Sequence, residues 1–212
     1  MQKIFLTGKI IFMKKFLTFS MFCFLSMSFY AQSITLTSGS LDPLKGEKVI
    51  KFEFTYDEMI VGKLTEQEYV DKKVADYNNK EAGRGDEWHK NWVEDRGNRF
   101  EPKFLELFDK YMEDVGVASG DEGANYVIVF NTEFTEPGFN VGVVRRNASI
   151  DMSGKILHIE SGDHIASIKI KNASANSFSG MDFDTGYRIQ ESYAKAGREF
   201  AKFLIKKGRI GN

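Results

Sequence analysis

The sequence predicts an α+β domain, a mainly antiparallel sheet with helices packed on one face. Three observations carry this expectation. An alternating strand pattern opens the domain, helix-period stretches fill its middle, and a run of short strands with tight connections precedes a last amphipathic helix. Connections of two or so residues force antiparallel neighbours.

Ile34-Thr35-Leu36-Thr37 alternates and predicts an edge strand, followed by a turn-rich stretch with Gly39, Asp42-Pro43 and Gly46. Ile50, Phe52, Phe54 and Tyr56 alternate with Lys51, Glu53, Thr55 and Asp57, the period of a strand with one buried face. Thr65-Glu66-Gln67-Glu68 spells a capping box, with Leu64 and Tyr69 as the hydrophobic staple, so a helix starts there and buries Tyr69, Val70, Val74 and Tyr77. Asn78 to Gly85 reads as a loop. From Asp86 a second helix sets Trp88 and Trp92 one turn apart, and Gly97 and Asn98 weaken it. Pro102 suits the first turn of a third helix, in which Phe104, Leu105, Phe108, Tyr111 and Met112 recur at helical spacing.

Tyr126-Val127-Ile128-Val129-Phe130 is dense in β-formers and predicts a buried strand, with Glu136-Pro137-Gly138 as its stop. Further strands are expected at 141–144, 148–152, 156–160 and 165–170, with Ser153-Gly154 and Gly162-Asp163 as turns. A last helix from about Thr185 buries Ile189, Tyr193, Ala196, Phe200, Phe203 and Leu204 and ends at Lys206-Lys207-Gly208, where cations and glycine favour a C-terminus. Small Ala194, Gly197 and Ala201 are expected to let it lie close to a sheet.

Ahead of the domain, Lys3, Lys9, Lys14 and Lys15 precede the apolar run from Phe16 to Tyr30, the order of a secretion signal, and the run is too short for a bilayer span of roughly 20 residues. Residues 1–31 are therefore expected to be a signal peptide, with translation starting at Met13 and cleavage after Ser28 or Ala31; 32–212 is the single domain. Cys23, the one cysteine, follows Phe22, where a lipid-modified cysteine needs a small residue, so the expected product is periplasmic or extracellular and not a lipoprotein. Its removal leaves no thiol for disulfides, metal or catalysis. The signal takes four of the 29 basic residues and none of the 30 acidic ones, leaving a net charge of −5. Such a surface does not suit nucleic acid.

Several residues invite chemistry. His158, Glu160, Asp163 and His164 could meet around a zinc ion. With Gly162-Asp163 as a two-residue turn, however, Ile159 faces Ala166 and Leu157 faces Ile168, which parts His158 from His164 and removes the metal. Asp182-Phe183-Asp184-Thr185-Gly186 has the letters of an aspartic-protease triplet and of a phosphatase Asp-x-Asp, but both need an apolar strand just upstream, and Ser177-Phe178-Ser179-Gly180 is not one. Asp182 and Asp184 are read as supporting the positive end of the last helix, with Asp184 or Thr185 as its cap. No dinucleotide fingerprint, nucleophile elbow or zinc helix occurs, so no catalytic residue, metal or cofactor is expected. The candidate ligand or partner surface is Trp88 and Trp92, which could stack a sugar or a partner, together with Phe139, Asn140, Arg145 and Arg146 in the glycine-rich stretch after Glu136.

Lys45-Gly46-Glu47-Lys48, Gly83-Arg84-Gly85-Asp86-Glu87-Trp88, Arg99-Phe100-Glu101-Pro102-Lys103-Phe104, the stretch Glu136 to Val144 and Asp182 to Arg188 together resemble a family of exported bacterial cell-envelope proteins of unknown function. The resemblance spans nearly the whole domain and implies no activity. The closing strands with Met152-Ser153-Gly154-Lys155 are also similar to small cell-envelope accessory domains. The expected function is a non-catalytic exported module that binds a protein or envelope component, an envelope protein or glycan being the expected partner, with no transmembrane segment after the signal. A cysteine-free hydrolase using Asp, Glu and His, or a small-ligand or glycan-binding domain, are the alternatives.

Overall fold

Why one strand organises the sheet is legible in its side chains. Tyr126–Glu136 (β6) alternates Ile128, Phe130 and Thr132 on a buried face with Val129, Asn131 and Glu133 on the other. The computed structural model describes residues 32–141, 144–174, 184–208 and 210; the signal peptide, its cleavage sites, Cys23 and Asp182 lie outside them. Around β6 run Ser33–Gly39 (β1), Val49–Thr55 (β2), Ile60–Val61 (β3), Leu64–Thr65 (β4), Ala118–Ser119 (β5), Ser149–His158 (β9) and His164–Ala173 (β10). Their order is β1-β10-β9-β6-β2-β5, with β3 and β4 beside β6 beyond β2. Phe139–Asn140 (β7) and Arg145–Arg146 (β8) form a separate small hairpin.

The domain is α+β, but the sheet is mixed. β1, β10, β9 and β6 are antiparallel in turn, whereas β2 and β3 both run parallel to β6, and β5 parallel to β2. β2 and β3 share one edge of β6, and the chain must leave that edge between them at Asp57. Asn131 fills the gap. Its Oδ1 accepts from the Asp57 N–H at 2.8 Å and from the Thr55 hydroxyl at 3.0 Å, and its Nδ2 donates to the Asp57 carbonyl at 3.2 Å, so a side-chain amide replaces the missing ladder bonds.

Among the described residues four α-helices accompany the sheet: Glu66–Asn78 (α1), Arg84–Asp95 (α2), Glu101–Met112 (α3) and Thr185–Phe203 (α4). The Thr65 box forms as its spelling predicts, the Glu68 N–H donating to the Thr65 hydroxyl and the Thr65 N–H to the Glu68 carboxylate at 2.9 Å. Between α2 and α3 the chain does not break at Gly97 and Asn98. Arg96–Phe100 is instead a π-helical segment, one wide turn that keeps the two helices in a single run.

α3 and α4 cover one face of the sheet. Phe104, Phe108, Ile189, Tyr193 and Phe200 meet Ile50, Ile128, Phe130, Met152 and Ile168, and the rings of Phe52, Phe104, Phe108, Phe130 and Phe200 pack at centroid distances from 4.8 to 6.4 Å. The opposite face carries ion pairs, Lys169 with Glu133 at 3.1 Å and Lys171 with Asp151 at 2.7 Å. Charge there is consistent with a sheet that is covered on one side only.

Three strand expectations need correction. Ser153-Gly154 is not a turn, because β9 runs unbroken through it; a Cβ at Gly154 would stand 2.6 Å from the Phe130 ring, so glycine serves a close approach. Of the expected 141–144 strand, Val141 and Val144 belong to no strand and stand next to β7 and β8, and residues 142 and 143 lie outside the described residues. The β9–β10 register also differs: Ala166 pairs with Ile156 and Ile168 with Gly154, which moves Leu157 to the open face. The chain turns through 158–163, the His158 N–H donating to the Asp163 carbonyl at 2.9 Å, rather than through two residues.

Candidate functional site

The wide turn at Arg96–Phe100 shapes a cleft. Its volume is about 620 Å³, and Tyr77, Trp88, Asn91, Trp92, Asp95, Asn98, Arg99, Asp184, Thr185 and Gly186 line it. α1 brings Tyr77, α2 brings both tryptophans, Asn91 and Asp95, the π segment brings Asn98 and Arg99, and the start of α4 with its cap brings Asp184, Thr185 and Gly186.

The two tryptophans differ in role. Trp92 is buried, and its Nε1 donates to Glu66 Oε1 at 2.6 Å; Glu66 also pairs with Arg96, whose guanidinium lies 4.2 Å from the Tyr56 ring centroid. Trp92 is thus fastened into the core. Trp88 stacks on it at 5.6 Å, touches Tyr69 and Tyr77, and stays half-buried at the wall of the cleft.

At the floor, Arg99 lies between two carboxylates, 3.0 Å from Asp184 Oδ2 and 3.5 Å from Asp95 Oδ1. Asp184 is the cap its position predicts, Oδ1 accepting the Gly186 N–H at 2.8 Å, so its two oxygens serve two elements. Gly186 leaves room for the Asp95 and Arg99 side-chain ends. A Cβ there would sit 2.2 Å from Asp95 Oδ2. Burial lifts the Asp95 carboxyl above its ordinary range, Arg99 pulls it back, and the Asp184 charge adds to the rise. The Arg99 guanidinium, which burial alone would lower, is held above its usual value by Asp184 and Asp95.

This floor gives two expected results, one from the Asp95 shift and one from the Asp184 cap. Because the folded-state pKa of Asp95 lies above 3.8, its contribution to stability is present below that value and is lost as pH rises through the folded pKa. Urea midpoints of wild type and Asp95→Asn, compared from about pH 3 to about pH 7, should therefore move in favour of the variant as pH rises. Movement the other way would refute the burial argument. For Asp184, whose side chain is 50% exposed, the Arg99 pair contributes little, so Asp184→Asn should cost under about 1 kcal/mol and Asp184→Ala about 1–2 kcal/mol in urea unfolding. Equal costs would mean that Oδ1 does not cap the helix.

The remaining candidates stand elsewhere. Phe139, Asn140, Arg145 and Arg146 pair across the β7–β8 hairpin, Phe139 opposite Arg146 and Asn140 opposite Arg145, and none lines the cleft. Arg146 binds Glu136 at 3.1 Å, and Phe139 is 41% exposed. Buried Arg188 of α4 fastens the base of this hairpin, donating to the carbonyls of Pro137 and Gly138 at 3.1 and 3.2 Å and to the Thr185 hydroxyl at 2.9 Å. His158 and His164 each engage a serine hydroxyl, Ser161 at 3.0 Å and Ser167 at 2.8 Å. Among the described residues no three His, Cys, Asp or Glu side chains gather as metal ligands, and no helix is long and apolar enough to cross a membrane.

Sequence reasoning missed Asp95, Asn98 and Arg99. The i,i+4 pair of Asp95 and Arg99 was available as a signal, as was Gly97-Asn98 inside a helical pattern.

No protein-family model and no curated protein matches the chain. Solved structures are similar at low identity. PelC from Paraburkholderia phytofirmans, a dodecamer, aligns over 77% of this chain and 97% of its own with TM-score 0.35 and 12% identity. A Xanthomonas campestris protein of the DUF330 family aligns over 85% and 96% with TM-score 0.38 and 12% identity, and a minor lipoprotein from Acinetobacter baumannii over 74% and 91% with TM-score 0.34 and 7% identity. At such scores these likenesses carry no inference about activity or assembly. The Acinetobacter neighbour being a lipoprotein does stand against the expectation that this chain is not one, and that expectation is withdrawn. It had rested on one flanking side chain, Phe22 before Cys23, both outside the described residues.

Proposed function

We propose that this chain is a cell-envelope module that binds a protein or envelope component without transforming it, and that the cleft beside the π-helical segment is its binding surface. The observation that carries the reading is the combination, in one cleft of about 620 Å³, of a half-buried Trp88 with the Asp95, Arg99 and Asp184 side chains. That volume falls in the range of ligand sites, about 300–1,000 Å³, where aromatic walls and a few placed polar groups are the usual lining. Both carboxylates are committed to Arg99, and Asp184 to the helix cap as well, which favours recognition over a free general base. The leader, residues 1–31 with cleavage after Ser28 or Ala31, and the single domain 32–212 belong to the same proposal; its support is the lysine-then-apolar order of the leader. The β7–β8 hairpin, with Phe139 41% and Val141 68% exposed, supplies a second contact for a protein partner.

A photocrosslinking residue placed at Asn98, and as control at exposed Lys155 on the open sheet face, tests the reading in intact cells. Adducts from position 98 well above those from 155 are expected. Equal labelling from both would overturn the cleft, and turnover of a chromogenic ester, phosphate, glycoside or peptide that disappears in Asp184→Asn would overturn the non-catalytic role.

A further inference from the structure

The charges around the cleft restrict what can enter it. At one end Asp95 and Asp184 outnumber Arg99, and the guanidinium is already held by both. The α4 N-terminus, an anion site in other settings, is closed here by the Asp184 carboxylate on the Gly186 N–H. An acidic ligand therefore meets net negative charge and no unengaged cation at the floor. Beside the Tyr77 end, outside the cleft lining, stand three cations, Lys73, Lys80 and Arg84, at 5.9, 5.5 and 5.5 Å from the ring centroid, Arg84 also 3.9 Å from Glu81. A cationic ligand reaching that end is repelled. An apolar ligand would strip water from the Asp, Asn and Arg groups without replacing their hydrogen bonds.

A neutral ligand rich in hydroxyls meets none of these objections. Carboxylate oxygens keep acceptor capacity beyond the bonds they already make, and the Asn91 and Asn98 amides bond to no other described residue, so donors and acceptors both await a partner. Trp88, half-buried at the wall of the cleft, offers aromatic surface to the flat C–H face that a pyranose ring presents. Resting on the cleft reading above, we infer that the ligand is a neutral saccharide, held by its hydroxyls on Asp95, Asn98 and Asp184 and by its C–H face against Trp88.

The test titrates the purified protein with cellotetraose and maltotetraose as neutral probes, oligogalacturonate as an acidic one and chitosan oligomers as a cationic one, by calorimetry and ligand-observed NMR. The expected result is binding of a neutral tetramer, weakened by about tenfold or more in Asn98→Ala and more again in Trp88→Ala, with Trp88→Phe restoring part of the loss. Asn98 is exposed and outside the core, so that variant reports even if Trp88→Ala fails to fold. Binding confined to the acidic or cationic probe and lost in Asn98→Ala would overturn the neutral class while leaving the cleft reading in place. Neutral binding that neither variant disturbs would overturn the cleft itself. No binding of any probe would overturn the saccharide inference, and labelling from position 98 would then still decide the cleft reading separately.

Discussion

Gly197→Ala is expected to destabilise the domain by about 3 kcal/mol, although alanine is the better helix former by about 1 kcal/mol. Gly197 lies in the interior of α4, and a Cβ there would stand 2.1 Å from the Phe104 carbonyl oxygen and 3.1 Å from its Cα. These are backbone atoms of α3. They cannot swing aside as a side chain can, so accommodating one methyl means moving a helix that carries Phe104 and Phe108 in the core. Gly97 in the π segment is the control, since a Cβ there meets nothing within 4 Å, and Gly97→Ala should be neutral or stabilising by up to about 1 kcal/mol. Urea unfolding of the two variants should give shifts of opposite sign. A mild effect at Gly197 would show that α3 and α4 do not require this close approach.

Local features were legible in the sequence because their causes are local. Thr65 and Glu68 are three residues apart and cap as spelled, the alternation in β2 buries Ile50, and Asp184 caps α4. What failed needed information from elsewhere in the chain. A period of two says which residues share a face but not which way the neighbouring strand runs, so the parallel pairing of β2 with β6 left no mark in Phe52 or Phe54. Glycine marks a turn and a close approach with the same letter, and Gly154, which by sequence suits the first, serves the second. The β9–β10 register is not legible for a related reason: Ile156, Leu157 and Ile159 offer apolar residues to both faces, so the pattern does not choose between them. The candidate site divides the same way. Trp88 and Trp92 show themselves by helical spacing within α2, whereas the Arg99–Asp184 contact joins residues 85 apart and depends on a π turn that the sequence registers only as a weak helix.

The largest loss should follow Phe130→Ala, about 3–5 kcal/mol in urea unfolding. Phe130 is wholly buried in the central strand, its ring 5.4 Å from that of Phe104 and 5.1 Å from that of Phe200, so truncation opens a cavity bounded by the sheet and both covering helices. The space cannot collapse without moving α3 or α4. Gly154 is its direct partner across the β6–β9 ladder, and in the wild type Gly154→Ala should cost about 1–3 kcal/mol because the new methyl would meet the ring at 2.6 Å. In the Phe130→Ala background the same methyl enters vacated volume, and alanine also loses less backbone entropy than glycine on folding. The effect of Gly154→Ala should then change sign, and the double variant should be more stable than Phe130→Ala alone. A double-mutant cycle by urea titration measures this coupling, expected at about 1–3 kcal/mol. Additive costs in the two backgrounds would mean that something other than the Phe130 ring excludes a side chain at position 154.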